Sequence, residues 1–137
     1  MKKEKIFVDT GAWFALADRS DGYHSKTVAI FPRLLNEFQR LVTTNLVVAE
    51  SYSLIRRSLG HQAAIILLEK IEASPRIVKI YSDHQLEIIA GEILRKYSDQ
   101  NFTYTDAVSF ALMKQQGIQE AFSFDRHFTV AGFKLIP

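Results

Sequence analysis

The stretch Ile6-Phe7-Val8-Asp9-Thr10-Gly11-Ala12-Trp13-Phe14-Ala15-Leu16-Ala17-Asp18 decides the fold class. Three apolar residues ending on a charge read as a buried strand over 6–9, and residues 11–18 read as a short helix that stops near the Asp21-Gly22 turn. A strand that feeds straight into a helix opens an α/β pattern. It also delivers the Asp9 carboxylate to the strand's carboxyl end, the edge where open α/β sheets bind ligands.

Outward from that stretch the alternation continues with one interruption. Val28, Phe31, Leu34, Leu35 and Phe38 recur at helical spacing and predict a helix over 24–40, with Pro32 marking a kink or an early turn. A short strand is expected over 41–43, then a helix over 46–58 with Asn45 as its N-cap, and after Gly60 a second helix over 62–73. Ser74-Pro75 breaks the chain before a β-branched strand over 77–80 and a helix over 85–97. A helix over 106–115 closed by Gly117, a strand over 121–124 and an edge strand over 134–136 complete the reading. The expected architecture is a single three-layer α/β domain over 1–137, its mostly parallel central sheet flanked by helices.

Composition narrows the function. With 137 residues, 47% of them apolar, and no apolar run near the ~18 residues of a membrane span, the sequence predicts one soluble domain with no membrane partner. The basic N-terminus Met1-Lys2-Lys3-Glu4-Lys5 is followed by an apolar run too short for a signal peptide, so a cytoplasmic location is expected. Zero cysteines exclude thiolate metal sites and thiol nucleophiles. No glycine-rich phosphate loop is present, and the four histidines form no His-x-x-x-His pair, which leaves them as surface or capping residues.

Four acids stand out: Asp9, Glu50, Asp106 and Asp125 each sit in an apolar stretch where a charge is expensive to bury. Asp125 closes Ala121-Phe122-Ser123-Phe124, as Asp9 closes its own run. Glu50 has Leu46 and Val47 one turn before it and Leu54 one turn after, which puts it on the apolar stripe, held by a cation or by Arg57. Each acid has a bland explanation as a helix cap or first-turn carboxylate. All four together fit a divalent cation better, since hard cations want oxygen ligands. Of 17 basic and 15 acidic residues, removing these four acids leaves the rest of the chain at +6, a surround suited to a polyanion. Thr10, Ser109 and Ser123 could add hydroxyl hydrogen bonds; Arg19, Arg56, Arg57, Lys114 and Arg126 are candidates for phosphate contacts. Trp13, Tyr23 and Tyr104 are candidates for base stacking, although an aromatic in an apolar run is more often core.

The motifs Phe7-Val8-Asp9-Thr10, Thr43-Thr44-Asn45-Leu46-Val47-Val48-Ala49-Glu50, Tyr104-Thr105-Asp106-Ala107-Val108-Ser109-Phe110 and Ser123-Phe124-Asp125-Arg126-His127-Phe128, in this order and with a closing Gly132-Phe133, resemble the PIN-domain ribonucleases, and especially their VapC-like toxins. The resemblance runs nearly end to end. It implies a Mg²⁺ or Mn²⁺ site made by Asp9, Glu50, Asp106 and Asp125, metal-assisted hydrolysis of RNA, a homodimer and a separate antitoxin protein. Gly11 and Asn45 depart from the family pattern, which bears on substrate choice more than on activity. The rival readings are a housekeeping PIN ribonuclease without antitoxin and a non-catalytic PIN-like module that binds RNA or protein. A phosphoacceptor domain would want adjacent acids after the first strand and a late lysine, and a metal-dependent phosphatase a second Asp where Gly11 stands.

Overall fold

The computed structural model describes residues 2–137, and Met1 of the basic N-terminal run lies outside them. Five strands form one parallel sheet in the order β3-β2-β1-β4-β5: β1 (Lys3–Val8), β2 (Phe38–Thr44), β3 (Ile77–Ile80), β4 (Glu120–Phe122) and β5 (Lys134–Ile136). The central strand β1 is buried only in its apolar half, Ile6 to Val8. The chain leaves β1 on one side to build β2 and β3, then crosses back to lay β4 on the other. Such a reversal opens a crevice at the carboxyl ends of the two strands that flank it. Asp9 lies on that crevice, its backbone N–H donating to Phe122 O at 3.1 Å across the β1–β4 seam.

Seven helices cover the sheet: α1 (Thr10–Ala17), α2 (His24–Glu37), α3 (Asn45–Leu59), α4 (His61–Ala73), α5 (His84–Lys96), α6 (Tyr104–Gln116) and α7 (His127–Val130). The strand order with the right-handed crossover rule requires α1 to α4 on one face and α5 and α6 on the other; α1 touches α2 and α3, α3 touches α4, and α5 pairs with α6. Helix α6 is the buried one. Its residues 106–113 are all buried, so it needs no polar face. Phe110 anchors it, lying edge-on to Phe128 and to Phe102 with ring centroids 5.0 Å away in both cases. That anchoring holds the first turn of α6, with Asp106, at the crevice. No helix among the described residues is long and apolar enough to cross a membrane.

Three boundaries differ from expectation for tertiary reasons. The helix expected to reach Arg40 ends at Glu37, and β2 begins at Phe38. Phe38 pairs with Lys3 of β1, and the Arg76 guanidinium donates to the carbonyls of Leu35 and Phe38, with Nε near Gln39 O. The N-cap of α3 is Thr44 rather than Asn45: Thr44 Oγ1 accepts the Val47 N–H at 3.0 Å, while Asn45 Oδ1 accepts the Ser82 N–H at 2.8 Å and ties the ends of β2 and β3 together. The strand expected over 121–124 stops at Phe122, and the unforeseen helix α7 follows a turn through Asp125. Pro32 sits inside α2 without ending it, whereas Gly117 caps α6 as expected, at φ 67° in the left-handed region that only glycine adopts cheaply.

Phe110→Ala should therefore lower the unfolding free energy by about 3–5 kcal/mol. Lys114→Ala, exposed on the same helix, should change it by less than about 0.5 kcal/mol. Urea denaturation measures both, and a loss below about 1 kcal/mol for Phe110→Ala would show that α6 is not the anchored helix described.

Candidate metal centre

Asp9 follows the last residue of β1 and occupies the N-cap position of α1, yet its side chain makes no capping bond. The capping explanation fails for this residue. Its Oδ2 instead accepts a hydrogen bond from Ser123 Oγ at 3.0 Å, and the same Ser123 Oγ accepts the Asp125 N–H at 3.0 Å. One hydroxyl thus ties the end of β1 to the loop after β4. Asp9 is only 8% exposed, and burial pushes its carboxyl up from 3.8 to about 7; the Asp106 and Asp125 carboxylates push the same way, against the Thr10 N–H and Ser123. Beside it, Thr10 Oγ1 is buried without a hydrogen-bond partner among the described residues.

Asp106 is the third residue of α6 and forms a capping box with Thr103: its Oδ2 accepts the Thr103 N–H and Thr103 Oγ1 accepts the Asp106 N–H, both at 3.0 Å. The structural explanation holds here, but it engages one carboxylate oxygen. Asp125 sits in the turn beyond β4, not at the strand's end, and its Oδ1 accepts the His127 N–H at 2.9 Å. The His127 Nδ1 lies 3.4 Å from both Asp106 Oδ2 and Asp125 Oδ1. Its ring is set edge-on to Phe102 at 5.1 Å. One ligand atom each from Asp106, Asp125 and His127 lie within 4.8 Å of one another. By sequence alone His127 ranks among surface or capping residues, its only signal a position two residues after Asp125; the α7 turn is what brings it to Asp106 and Asp125.

Glu50 corrects an expectation. The buried stripe of α3 is Val47, Val48, Ser51 and Ile55, while Leu46 and Leu54 are half-buried and Glu50 itself is exposed. No ion pair between Glu50 and Arg57 forms among the described residues. Ser109 is buried, but its Oγ donates to Thr105 O one turn back at 2.9 Å, so its hydroxyl serves the helix backbone. Arg19, Arg56, Arg57, Lys114 and Arg126 are all exposed. Arg126 adjoins Asp125. Lys114 lies eight residues after Asp106, about 12 Å along α6 toward the opposite edge of the sheet, too far for a phosphate held at the carboxylates. Arg56 stands 2.6 Å from His61 Nδ1, and with Arg57 it marks the far turn of α3. Trp13 is core, edge-on to Phe31 at 6.4 Å, and cannot stack on a base.

Like charges converging in a desolvated crevice are relieved by a proton or by a cation. The donor set here, carboxylate oxygens with one imidazole nearby and a buried hydroxyl left unpartnered, fits a hard divalent cation that keeps open positions.

Comparison with known proteins agrees with this geometry. The PIN domain family model matches residues 6–134. The 23S rRNA-specific endonuclease VapC20 of Mycobacterium tuberculosis is 33% identical over 129 residues, covering 93% of this chain and 95% of that protein. The crystal structure of the same VapC20, described as a Sarcin-Ricin loop cleaving toxin, superposes with a TM-score of 0.85 at 33% identity over 93% of this chain and 95% of its own. VapBC2 from Rickettsia felis, solved with a DNA fragment from its promoter, reaches a TM-score of 0.72 at 11% identity, covering 96% of this chain and 97% of that one, a likeness of fold alone.

The raised Asp9 carboxyl gives the metal-free protein a pH signature. Between the unfolded value of 3.8 and the folded value of about 7 the native state holds a proton that the unfolded chain has lost, so stability falls as pH rises through that window. The loss approaches about 4 kcal/mol by the linkage relation. Asp106 of α6 and Asp125 of the turn after β4 are the charges that act on Asp9, and His127 stands beside both of them. With a chelator present, Asp9→Asn should flatten this slope and be more stable than the parent at pH 8, as read from urea midpoints across pH 5–8. Parallel slopes in the two proteins would contradict the burial argument.

Proposed function

The chain belongs to the PIN-domain family, and we propose that it is a divalent-metal-dependent endoribonuclease, the toxin of a toxin–antitoxin pair. The observation that carries the catalytic reading is the cluster of ligand atoms from Asp106, Asp125 and His127 within 4.8 Å of one another, with the buried Asp9 carboxyl under the influence of both aspartates. Asp9, Asp106 and Asp125 would hold a Mg²⁺ or Mn²⁺ ion, with Glu50 reaching in from the exposed side of α3. Such an ion supplies charge neutralisation at a phosphodiester and a more acidic water.

The chain's own residues prepare that chemistry. Ser123 orients Asp9, the Thr103 N–H fixes one oxygen of Asp106, and the His127 N–H fixes one oxygen of Asp125, so each carboxylate is aimed by a bond outside the cation's shell. Arg126 beside Asp125 and Arg19 on the α1–α2 loop are exposed cations for flanking phosphates. Arg56 and Arg57 serve RNA only where it runs along α3. Structured rRNA is the first substrate to test, since the 33%-identical relative is a 23S rRNA-specific endonuclease.

An antitoxin has a place to sit. A groove of about 640 Å³ runs between α1, α2 and α4, lined by Trp13, Phe31, Leu35, Ile66, Leu67 and Ile71, with Arg19, His24 and Lys70 also on its walls. An apolar segment of a partner protein fits such a cleft. We place the protein in the cytoplasm as one PIN domain over 1–137 and as a homodimer.

Purified protein with Mg²⁺ or Mn²⁺ should cleave RNA from a panel of rRNA, tRNA and mRNA. Asp9→Asn, Asp106→Asn, Asp125→Asn and Glu50→Gln should each slow cleavage by at least about a hundredfold, and Ser123→Ala by about tenfold, with circular dichroism unchanged. Full-rate cleavage by a folded Asp9→Asn/Asp106→Asn double variant would remove the metal-nuclease reading. Expression alone should arrest growth, and Asp9→Asn should relieve the arrest; harmless expression of an RNA-cleaving protein would favour a housekeeping ribonuclease.

A further inference from the structure

Phe124 stands between the two residues that organise the carboxylates, Ser123 and Asp125, and is itself only half-buried. Its ring meets Phe122 edge-on at 6.0 Å and lies over Gly11, where an added Cβ would come 3.9 Å from Cδ2. Its other neighbour comes from a different part of the chain. Tyr23, at the end of the α1–α2 loop, stacks on Phe124 with ring centroids 4.1 Å apart and planes 11° from parallel.

Tyr23 is 49% exposed, and among the described residues no other ring and no cation covers it. The loop that presents it is braced: the Ser20 N–H and the Tyr23 N–H bond to the Asp18 and Asp21 carboxylates at 2.9 Å, and His24 Nδ1 lies 2.7 Å from Ala15 O. The outer face is therefore a preformed aromatic surface, backed by a ring one residue from Asp125, a Cα step of about 3.8 Å. The other exposed tyrosines are less suited. Tyr81 has Lys79 over its ring, and Tyr104 donates its hydroxyl to Glu87 at 2.6 Å, which sets a negative charge beside that ring.

We propose that the exposed face of Tyr23, supported by Phe124, is a ledge on which one nucleobase of the RNA stacks beside the scissile phosphate. This rests on the ribonuclease reading and adds to it the element that selects an unpaired, splayed nucleotide. Base stacking on an aromatic face is how proteins grip single-stranded RNA without reading its sequence. Arg19, four residues before Tyr23, and Arg126, two after Phe124, are exposed cations available to the neighbouring phosphates.

The test compares the parent with Tyr23→Phe, which keeps the ring, and Tyr23→Leu, which keeps apolar cover on Phe124 but removes the π face. Cleavage kcat/KM should stay within about twofold for Tyr23→Phe and fall about 5- to 150-fold for Tyr23→Leu, the range of one base–aromatic stack, with Tm unchanged. In an Asp9→Asn background, a short single-stranded RNA with 2-aminopurine walked along its positions should show fluorescence quenching at one register, retained with Tyr23→Phe and lost with Tyr23→Leu. Parent-like cleavage and quenching by Tyr23→Leu would overturn the ledge while leaving the ribonuclease intact. So would a Tyr23→Leu that cleaves normally but escapes a neutralising partner protein, since the face would then be a protein contact. A parent that cleaves no RNA with either metal overturns the ribonuclease reading and the ledge with it.

Discussion

A carboxylate taken out of water at the end of the central strand is the constraint that shapes this molecule. Asp9 can be buried there because β4 closes against β1, because Ser123 donates to it, and because α6, locked by Phe110, Phe102 and Phe128, covers the crevice from the opposite face. Burying an unrelieved charge costs several kcal/mol even after relaxation. The same elements that exclude water bring Asp106 and Asp125 near, which adds like charge and raises the cost further. A proton relieves it at low pH and a divalent cation relieves it at neutral pH, so in the proposed account the protein trades its own stability for a cation site.

The parts of this arrangement that sequence made legible are those encoded by neighbours along the chain. An apolar run ending on Asp9 and a glycine closing α6 are local signals, and both lie where expected. Glu50 lies off the stripe because only Val47 among its neighbours at three and four residues is fully buried, while Leu46 and Leu54 sit at the margin; the helix buries Val47, Val48, Ser51 and Ile55. The start of β2 depends on Arg76, dozens of residues away, satisfying carbonyls that a helix would have used. His127 joins the acids only after β4 ends early and α7 folds back, an outcome that periodicity does not encode.

Helix α1 links the proposed activities. It begins beside the carboxylates at Thr10 and carries Trp13, Leu16 and Ala17 into the apolar groove. Trp13 is four residues from Asp9, about 6 Å along the helix, so one end of the groove's lining is carried by the same helix that starts at the crevice. The α1–α2 loop that follows presents Tyr23, so the proposed RNA contact, partner contact and cation site lie around one short helix.

If one proton and one cation compete for the Asp9 site, calorimetric titration of Mn²⁺ in buffers of different ionisation enthalpy detects that competition directly. A carboxyl raised to about 7 requires proton release on ion binding near neutral pH, shrinking as pH rises above 7. Mn²⁺ uptake at pH 7 with no proton release, or with a release that does not change with pH, would contradict it.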